Sequence, residues 1–284
     1  MSRIVVGVDG SAAADRALRW AVREAELRSA VIELVYGYAL HPHAAMFGRS
    51  DRDLANDTMD TIVERNRGLL DRVKWTTTLV ALIAGPTGAL LDVGEDADLI
   101  VVGSRGLGGF GELFVGGTSY RTAAHASAPV AVVREGGEPD DGARAPVVGV
   151  DGSRASRRAL RWALGEAAVR GVGVTVVHAY YEPSDLALGT LASDQALEEY
   201  RQRAHADAVD LVDRALDEVA VPAAVDVERV ALPGSPAGVL LKAAAPDRLL
   251  VVGTRGRGAL GRTLFGSVSH QCLHHARGPM VVVP

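Results

Sequence analysis

The chain has 284 residues, 48% hydrophobic and 23% charged, the balance of a globular protein long enough for two ordinary domains. Its net charge is −5 and Lys occurs only at Lys74 and Lys242, so the clustered cations that a nucleic-acid partner requires are missing. Cys272 is the sole cysteine, which excludes an internal disulfide; no apolar run reaches the ~20 residues of a membrane span, and no signal-peptide pattern precedes Ile4, so the expected location is the cytoplasm with no membrane partner.

Ile4–Val8 is a short, unbroken apolar run closed by Asp9 and Gly10, the pattern of a strand buried on both faces. Ala17, Leu18, Ala21, Val22 and Ala25 then recur at helical spacing and predict a helix over Ala12–Ser29. Val31–Tyr36 reads as the second strand, His41 to Asp51 as a loop, Asp53–Arg72 as a helix, Thr78–Ala84 as the third strand and Thr87–Asp96 as a short helix. Strand Leu99–Gly103, a helix over Thr118–Ala126 and strand Val130–Val133 close the first half. Residues 135–145 are a polar linker rich in Gly. The same order follows, with strands near Val147–Val150, Val174–Ala179, Val225–Leu232, Leu249–Gly253 and Met280–Val283. Its helices fall near Ala155–Arg170, Ser193–Val219, Ala237–Ala244 and Ser267–Ala276.

The two halves are copies. Val5-Val6-Gly7-Val8-Asp9-Gly10-Ser11 returns as Val147-Val148-Gly149-Val150-Asp151-Gly152-Ser153, and Ala17-Leu18-Arg19-Trp20-Ala21 returns at the same spacing as Ala159-Leu160-Arg161-Trp162-Ala163. Val101-Val102-Gly103-Ser104-Arg105-Gly106 returns as Val251-Val252-Gly253-Thr254-Arg255-Gly256. A solenoid repeat runs about 20–50 residues, so each far longer copy is a whole domain: 1–134 and 146–284. Strands alternating with helices imply parallel strands joined by right-handed crossovers. The expected fold is therefore α/β: two tandem Rossmann-like domains, each an open five-stranded parallel sheet with helices on both faces. Such sheets bind ligands beyond the carboxyl ends of their strands, where the strand order switches. Asp9, Gly37 and Gly103 fall there, as do their second-copy partners.

The loop after the fourth strand carries the chemistry. Gly253-Thr-Arg-Gly256 is followed by nine residues and then Gly266-Ser267, which opens a helix. Glycine lets the backbone approach a ligand closely. The helix start presents free N–H groups and roughly half a positive charge, a place where phosphate settles, aided by the hydroxyls of Ser267 and Ser269 around Val268. Arg255 adds a charge-assisted contact. The loop is not a Walker A motif, because no Gly-Lys-Ser/Thr follows, and neither copy has the G-x-G-x-x-G dinucleotide fingerprint. Glycine pairs that serve only a tight turn are the plainer alternative, weakened by the recurrence of the spacing in Gly103, Arg105, Gly106, Gly116 and Gly117.

These motifs, with the strand Val-x-Asp-x-Ser exits and the closing strands after Pro129 and Pro279, resemble the tandem, ATP-binding members of the universal stress protein family over almost the whole chain outside the linker. The resemblance implies an adenine nucleotide α-hydrolase-like fold, ATP as ligand with Mg²⁺ as a companion, and a regulatory role under stress or growth arrest. It places Asp9 and Asp151 against the nucleotide, Gly7, Val8, Gly149 and Val150 beside the adenine, and Gly37 and Ala179 at the base edge. The signature loops hold ribose and phosphates. It also implies that the closing strands Val130–Val133 and Met280–Val283 pair in the manner of a dimer of single domains; a homodimer and a regulatory protein partner stay open.

The copies are unequal. Where the second has Gly266-Ser267, the first has Gly116-Gly117 followed by Thr118 and Ser119, one hydroxyl short at the helix start, so the first site is expected to bind more weakly, the alternative being that Thr118 compensates by a small shift. Ser11 and Ser153 read as helix caps, Trp20 and Trp162 as packing residues, and Cys272 as a buried thiol. His270 and His274 share a helix face but lack an acidic partner in the run, so no metal site is assigned. No general base stands beside the phosphate loop, so no catalytic residue is assigned. The rival readings are a nucleotide-independent interaction module and a slow ATPase.

Overall fold

The computed structural model describes residues 2–40, 50–81, 85–106, 115–134, 144–181, 194–244, 247–256 and 265–284. Contacts divide the chain into two compact units: Met1–Gly142 with Leu273–Val282 and Pro284, and Ala143–Cys272 with Val283. The expected loop after His41, and nearly all of the linker, lie outside the described residues.

In the first unit the elements run β1 (Arg3–Gly7), α1 (Ala12–Arg28), β2 (Val31–Tyr38), α2 (Asp51–Arg65), α3 (Arg67–Leu70), β3 (Lys74–Ala81), α4 (Gly85–Val93), β4 (Leu99–Gly103), α5 (Gly117–His125) and β5 (Val130–Val133). The strand order is β3-β2-β1-β4-β5, and these strands are parallel. Strands β4 and β5 are buried along their whole length, which is why they read as continuous apolar runs. Helices α1 and α2 both pack on α3, whereas α4 packs on α5, as right-handed crossovers on opposite faces require. The same unit holds Met280–Val282 of β10 (Met280–Val283), antiparallel to β5, with Met280 opposite Val132, Val281 opposite Ala131 and Val282 opposite Val130. By its contacts, therefore, the closing stretch of the second sequence copy groups with the first unit.

The second unit contains β6 (Val147–Gly149), α6 (Arg154–Arg170), β7 (Val174–Tyr180), α7 (Asp194–Asp217), β8 (Val227–Pro233), α8 (Pro236–Ala244) and β9 (Leu250–Gly253), and most of α9 (Ser267–His275). Its parallel order is β9-β6-β7-β8. In both units the order reverses beside the first strand of the copy, so the switch lies between β1 and β4, and between β6 and β9.

The second helix and the third strand depart from the sequence reading for local reasons. The helix expected over Asp53–Arg72 begins two residues earlier and breaks at Asn66. Its start is a capping box: Asp53 N–H donates to Ser50 Oγ (3.1 Å) and Ser50 N–H to Asp53 Oδ2 (3.0 Å). At the break, Asn66 Nδ2 donates to the Ile62 carbonyl (2.9 Å) and to Asp15 Oδ1 (3.2 Å). The third strand starts at Lys74 rather than Thr78, because Lys74–Thr77 pair with Val31–Leu34 of β2 although Lys74, Thr76 and Thr77 are exposed. An edge strand of this kind lacks the apolar alternation that marks a strand in sequence. Trp20 is buried, as a packing residue should be.

Candidate nucleotide site

The turn from the first strand of each copy into its helix is built twice in the same way. Asp151 Oδ1 accepts the Ser153 N–H at 2.9 Å, and Asp9 Oδ1 accepts the Ser11 N–H at 2.9 Å. Gly152 and Gly10 between them take φ 76° and 81°, a conformation glycine adopts without strain. Ser153 Oγ then accepts the Ser156 N–H (3.1 Å) and Ser11 Oγ the Ala14 N–H (3.2 Å), capping α6 and α1. Each aspartate thus serves the fold as well, since one carboxylate oxygen closes the turn. The other oxygen lies against the signature loop. A Cβ on Gly256 would collide with Asp151 Oδ2, and one on Gly106 would come within 2.5 Å of Asp9 Oδ2. Glycine at these two positions lets the loop settle on the carboxylate.

Gly253 and Gly103 answer to a different neighbour. A Cβ there would stand 2.7 Å from the Ala155 carbonyl carbon or 2.6 Å from the Ala13 carbonyl oxygen. They permit α6 and α1 to rest directly on the carboxyl ends of β9 and β4.

The loop returns to its own origin before the next helix. Gly266 N–H donates to the Thr254 carbonyl and Gly116 N–H to the Ser104 carbonyl, both at 2.7 Å. The first helical bonds run from His270 N–H to the Gly266 carbonyl and from Tyr120 N–H to the Gly116 carbonyl. The amides of residues 267–269 and 117–119 therefore stand at helix starts with no acceptor inside the helix. No side chain caps α5.

Ser269 and Ser119 do not serve as the sequence suggested. Each hydroxyl is buried and donates to a strand carbonyl at 2.6 Å, Ser269 to Gly253 and Ser119 to Gly103. Their hydroxyl protons tie the helix start to the strand end, which leaves the backbone amides and the exposed Ser267 side chain as the donors toward a ligand.

In the second unit these parts enclose a cavity of about 600 Å³. Every second-copy candidate lies on its wall: Gly149, Val150 and Asp151 from the end of β6, Ala179 from β7, Gly253, Arg255 and Gly256 from the end of β9, and Gly266, Ser267, Val268 and Ser269 from the start of α9. The wall also includes residues that the sequence did not assign to the site: Leu240 and Pro236 of α8, Phe265, His270 and His178. Apolar residues at helical spacing carry no sign that separates a cavity wall from a core, so only the fold reveals Leu240 and Pro236. His178 is held in place: its Nδ1 lies 2.7 Å from the Val150 carbonyl oxygen. A carbonyl only accepts, so Nδ1 bears the proton.

In the first unit the corresponding residues Gly7, Val8, Asp9, Gly37, Gly103, Arg105, Gly106, Gly116, Gly117, Thr118 and Ser119 hold equivalent places. Val8 N–H donates to the Val35 carbonyl (3.0 Å) as Val150 N–H does to Val177 (2.9 Å). Gly37 pairs with Val80, and Ala179 with Leu232, on the outer neighbouring strand. The nine-residue stretches, apart from Val115 and Phe265 at their ends, lie outside the described residues. Burial pushes the Cys272 thiol up to about 12, far from the thiolate a nucleophile needs. Among the described residues no group of three His, Cys, Asp or Glu side chains could hold a metal ion.

A duplicated sheet whose glycine loop opens a helix has known counterparts. The family model described as "Universal stress protein family" matches residues 1–134 and again 145–284. The chain belongs to the universal stress protein family. A universal stress protein of Mycolicibacterium smegmatis is 32% identical over 290 residues, spanning 99% of this chain and 96% of the relative. One from Mycobacterium tuberculosis is 32% identical over 293 residues, spanning 98% and 95%. Among solved structures, a universal stress protein from Archaeoglobus fulgidus superposes with a TM-score of 0.69 at 16% identity, covering 99% of this chain and 97% of that one. A likeness at that identity concerns the fold, which is the Rossmann-like adenine nucleotide α-hydrolase architecture in tandem. No helix among the described residues of this universal stress protein is long and apolar enough to cross a membrane.

Proposed function

We propose that the cavity of the second unit is an adenine-nucleotide site and that the protein is a nucleotide-responsive regulator within the stress-response family to which it belongs. The observation that carries this reading is the meeting of three features on one wall. The open amides at the start of α9, Asp151 at the switch between β6 and β9, and the strand ends at Val150 and Ala179 all line the same cavity. The volume sits within the range of about 300–1,000 Å³ that encloses a drug-sized ligand. The donor set suits a phosphate: backbone N–H groups, the Ser267 hydroxyl and the Arg255 guanidinium, with the helix dipole behind them. Mg²⁺ would arrive on the phosphates and meet Asp151 through water, since such ions keep several waters and lean on substrate phosphate. The first unit repeats the seat with Gly117 in place of Ser267, and we assign it a weaker affinity.

Thermal unfolding with and without nucleotide tests the reading. A ligand at 100 times its dissociation constant adds about 2.7 kcal/mol to the stability of the state it binds. ATP should raise the unfolding temperature of the wild type and raise that of a Gly256→Val variant, whose side chain intrudes on Asp151, by clearly less, the remainder coming from the weaker first site. No rise with ATP, ADP or AMP would instead favour the nucleotide-independent interaction module.

A further inference from the structure

His178 is a cavity-wall side chain that the phosphate seat does not use, and its hydrogen bonding gives it one chemical direction. Nδ1–H is committed to the Val150 carbonyl at 2.7 Å, so in the neutral ring Nε2 carries a lone pair and no proton. The residue sits on β7, two strand spacings from β9, roughly 10 Å across the sheet edge from the loop that leads into α9. A ligand whose phosphates rest on the α9 amides therefore brings its sugar or base, not its phosphates, to His178. The first unit has Tyr36 at the equivalent place, immediately after the residue whose carbonyl receives the first-strand amide. A phenol both donates and accepts, so the first site carries no such restriction.

We infer that His178 is a specificity residue: its Nε2 accepts a hydrogen bond from the nucleoside part of the ligand and makes the second site demand a donor there. This rests on the nucleotide reading above. Two ligand groups supply that chemistry, the exocyclic 6-amino group of adenine and a ribose hydroxyl, and a 6-oxo purine offers an acceptor in place of the first.

The experiment is a calorimetric cycle on the full chain, wild type against His178→Phe and His178→Gln, titrated with ATP, with the N6,N6-dimethyl analogue and with 2′- and 3′-deoxy-ATP. In the wild type, at least one analogue that lacks a donor should bind the second site roughly tenfold more weakly than ATP, the size of one hydrogen bond whose acceptor is otherwise left bare. In His178→Phe that ratio should fall to near one, while Gln, which offers a carbonyl acceptor, should restore part of it. The identity of the sensitive analogue tells amino group from hydroxyl. If ATP binds the wild type and every ratio is the same in all three proteins, the inference is overturned and the nucleotide site stands. If no nucleotide binds the wild type, the site reading fails and takes the inference with it. Should His178→Phe not fold, the His178→Gln and wild-type ratios still decide, and equal affinities for all analogues in the wild type refute the inference without any variant.

Discussion

The two candidate sites differ most simply at one side chain, and exchanging it is the sharpest perturbation of the proposed anion seat. Ser267 opens α9 on the cavity wall, whereas Gly117 opens α5. A hydroxyl donating to a charged phosphate contributes about 1.5–3 kcal/mol, and every 1.4 kcal/mol is about tenfold in affinity. Ser267→Gly should therefore weaken the second site by roughly 10- to 150-fold, and Gly117→Ser should strengthen the first by a similar factor. The first substitution removes one exposed side chain. The second meets little obstruction: the nearest atom to a Cβ on Gly117 is Nη2 of Arg121, the mobile end of a long side chain, at 3.5 Å. Thr118 does not already fill the role, since the next residue is turned by about 100° around a helix of 3.6 residues per turn. Calorimetric titration with ATP should resolve two affinities in the wild type, which approach one another in either single variant and exchange order in the double variant. Equal affinities in the wild type, or swaps that leave both unchanged, would refute the assignment of the asymmetry to this hydroxyl.

Other consequences are equally specific. Gly256→Ala puts a methyl onto Asp151 Oδ2 and should cost the second site at least tenfold in ATP affinity by calorimetry, while Gly106→Ala should do so only at the first site. Ser269→Ala leaves the buried Gly253 carbonyl without its 2.6 Å donor and should destabilise the protein by about 1–3 kcal/mol in denaturant unfolding, with phosphate contacts at the amides retained. Gly103→Ala drives a methyl into the Ala13 backbone and should destabilise by about 1–3 kcal/mol, measured in the same way. The Cys272 thiol is raised by burial from 9.0 to about 12, so its folded value lies above its unfolded one. Its contribution is complete below about 9 and is lost as pH climbs from 9 toward 12, so Cys272→Ser should flatten the decline of stability over that window. At neutral pH native Cys272 should alkylate far more slowly than in denaturant.

Much of the fold was open to reading because parallel strands covered on both faces leave unbroken apolar runs, as at Ile4–Val8 and Leu99–Gly103. The duplication then located the switch points, and the candidates from Gly149 to Ser269 converge on one wall for that reason. What sequence could not supply was the direction of individual hydrogen bonds. Ser269 reads as a ligand donor because it stands at a helix start, but one residue's rotation turns its hydroxyl inward onto Gly253. Asp9 and Asp151 read as ligand groups, and only the turn geometry shows that each gives one oxygen to a serine amide. The break at Asn66 arises from a side chain that reaches both Ile62 and Asp15, a contact 51 positions distant in sequence. His178 carries no motif, and its tautomer follows only from its distance to Val150.

The most direct measurement is a crystal structure of the full chain grown with ATP and Mg²⁺. The triphosphate should lie on the amides of Ser267, Val268 and Ser269, with the adenine toward Val150 and Ala179. Density for the nucleotide elsewhere, or a second-unit cavity that stays free of it at saturating ATP, would contradict the account.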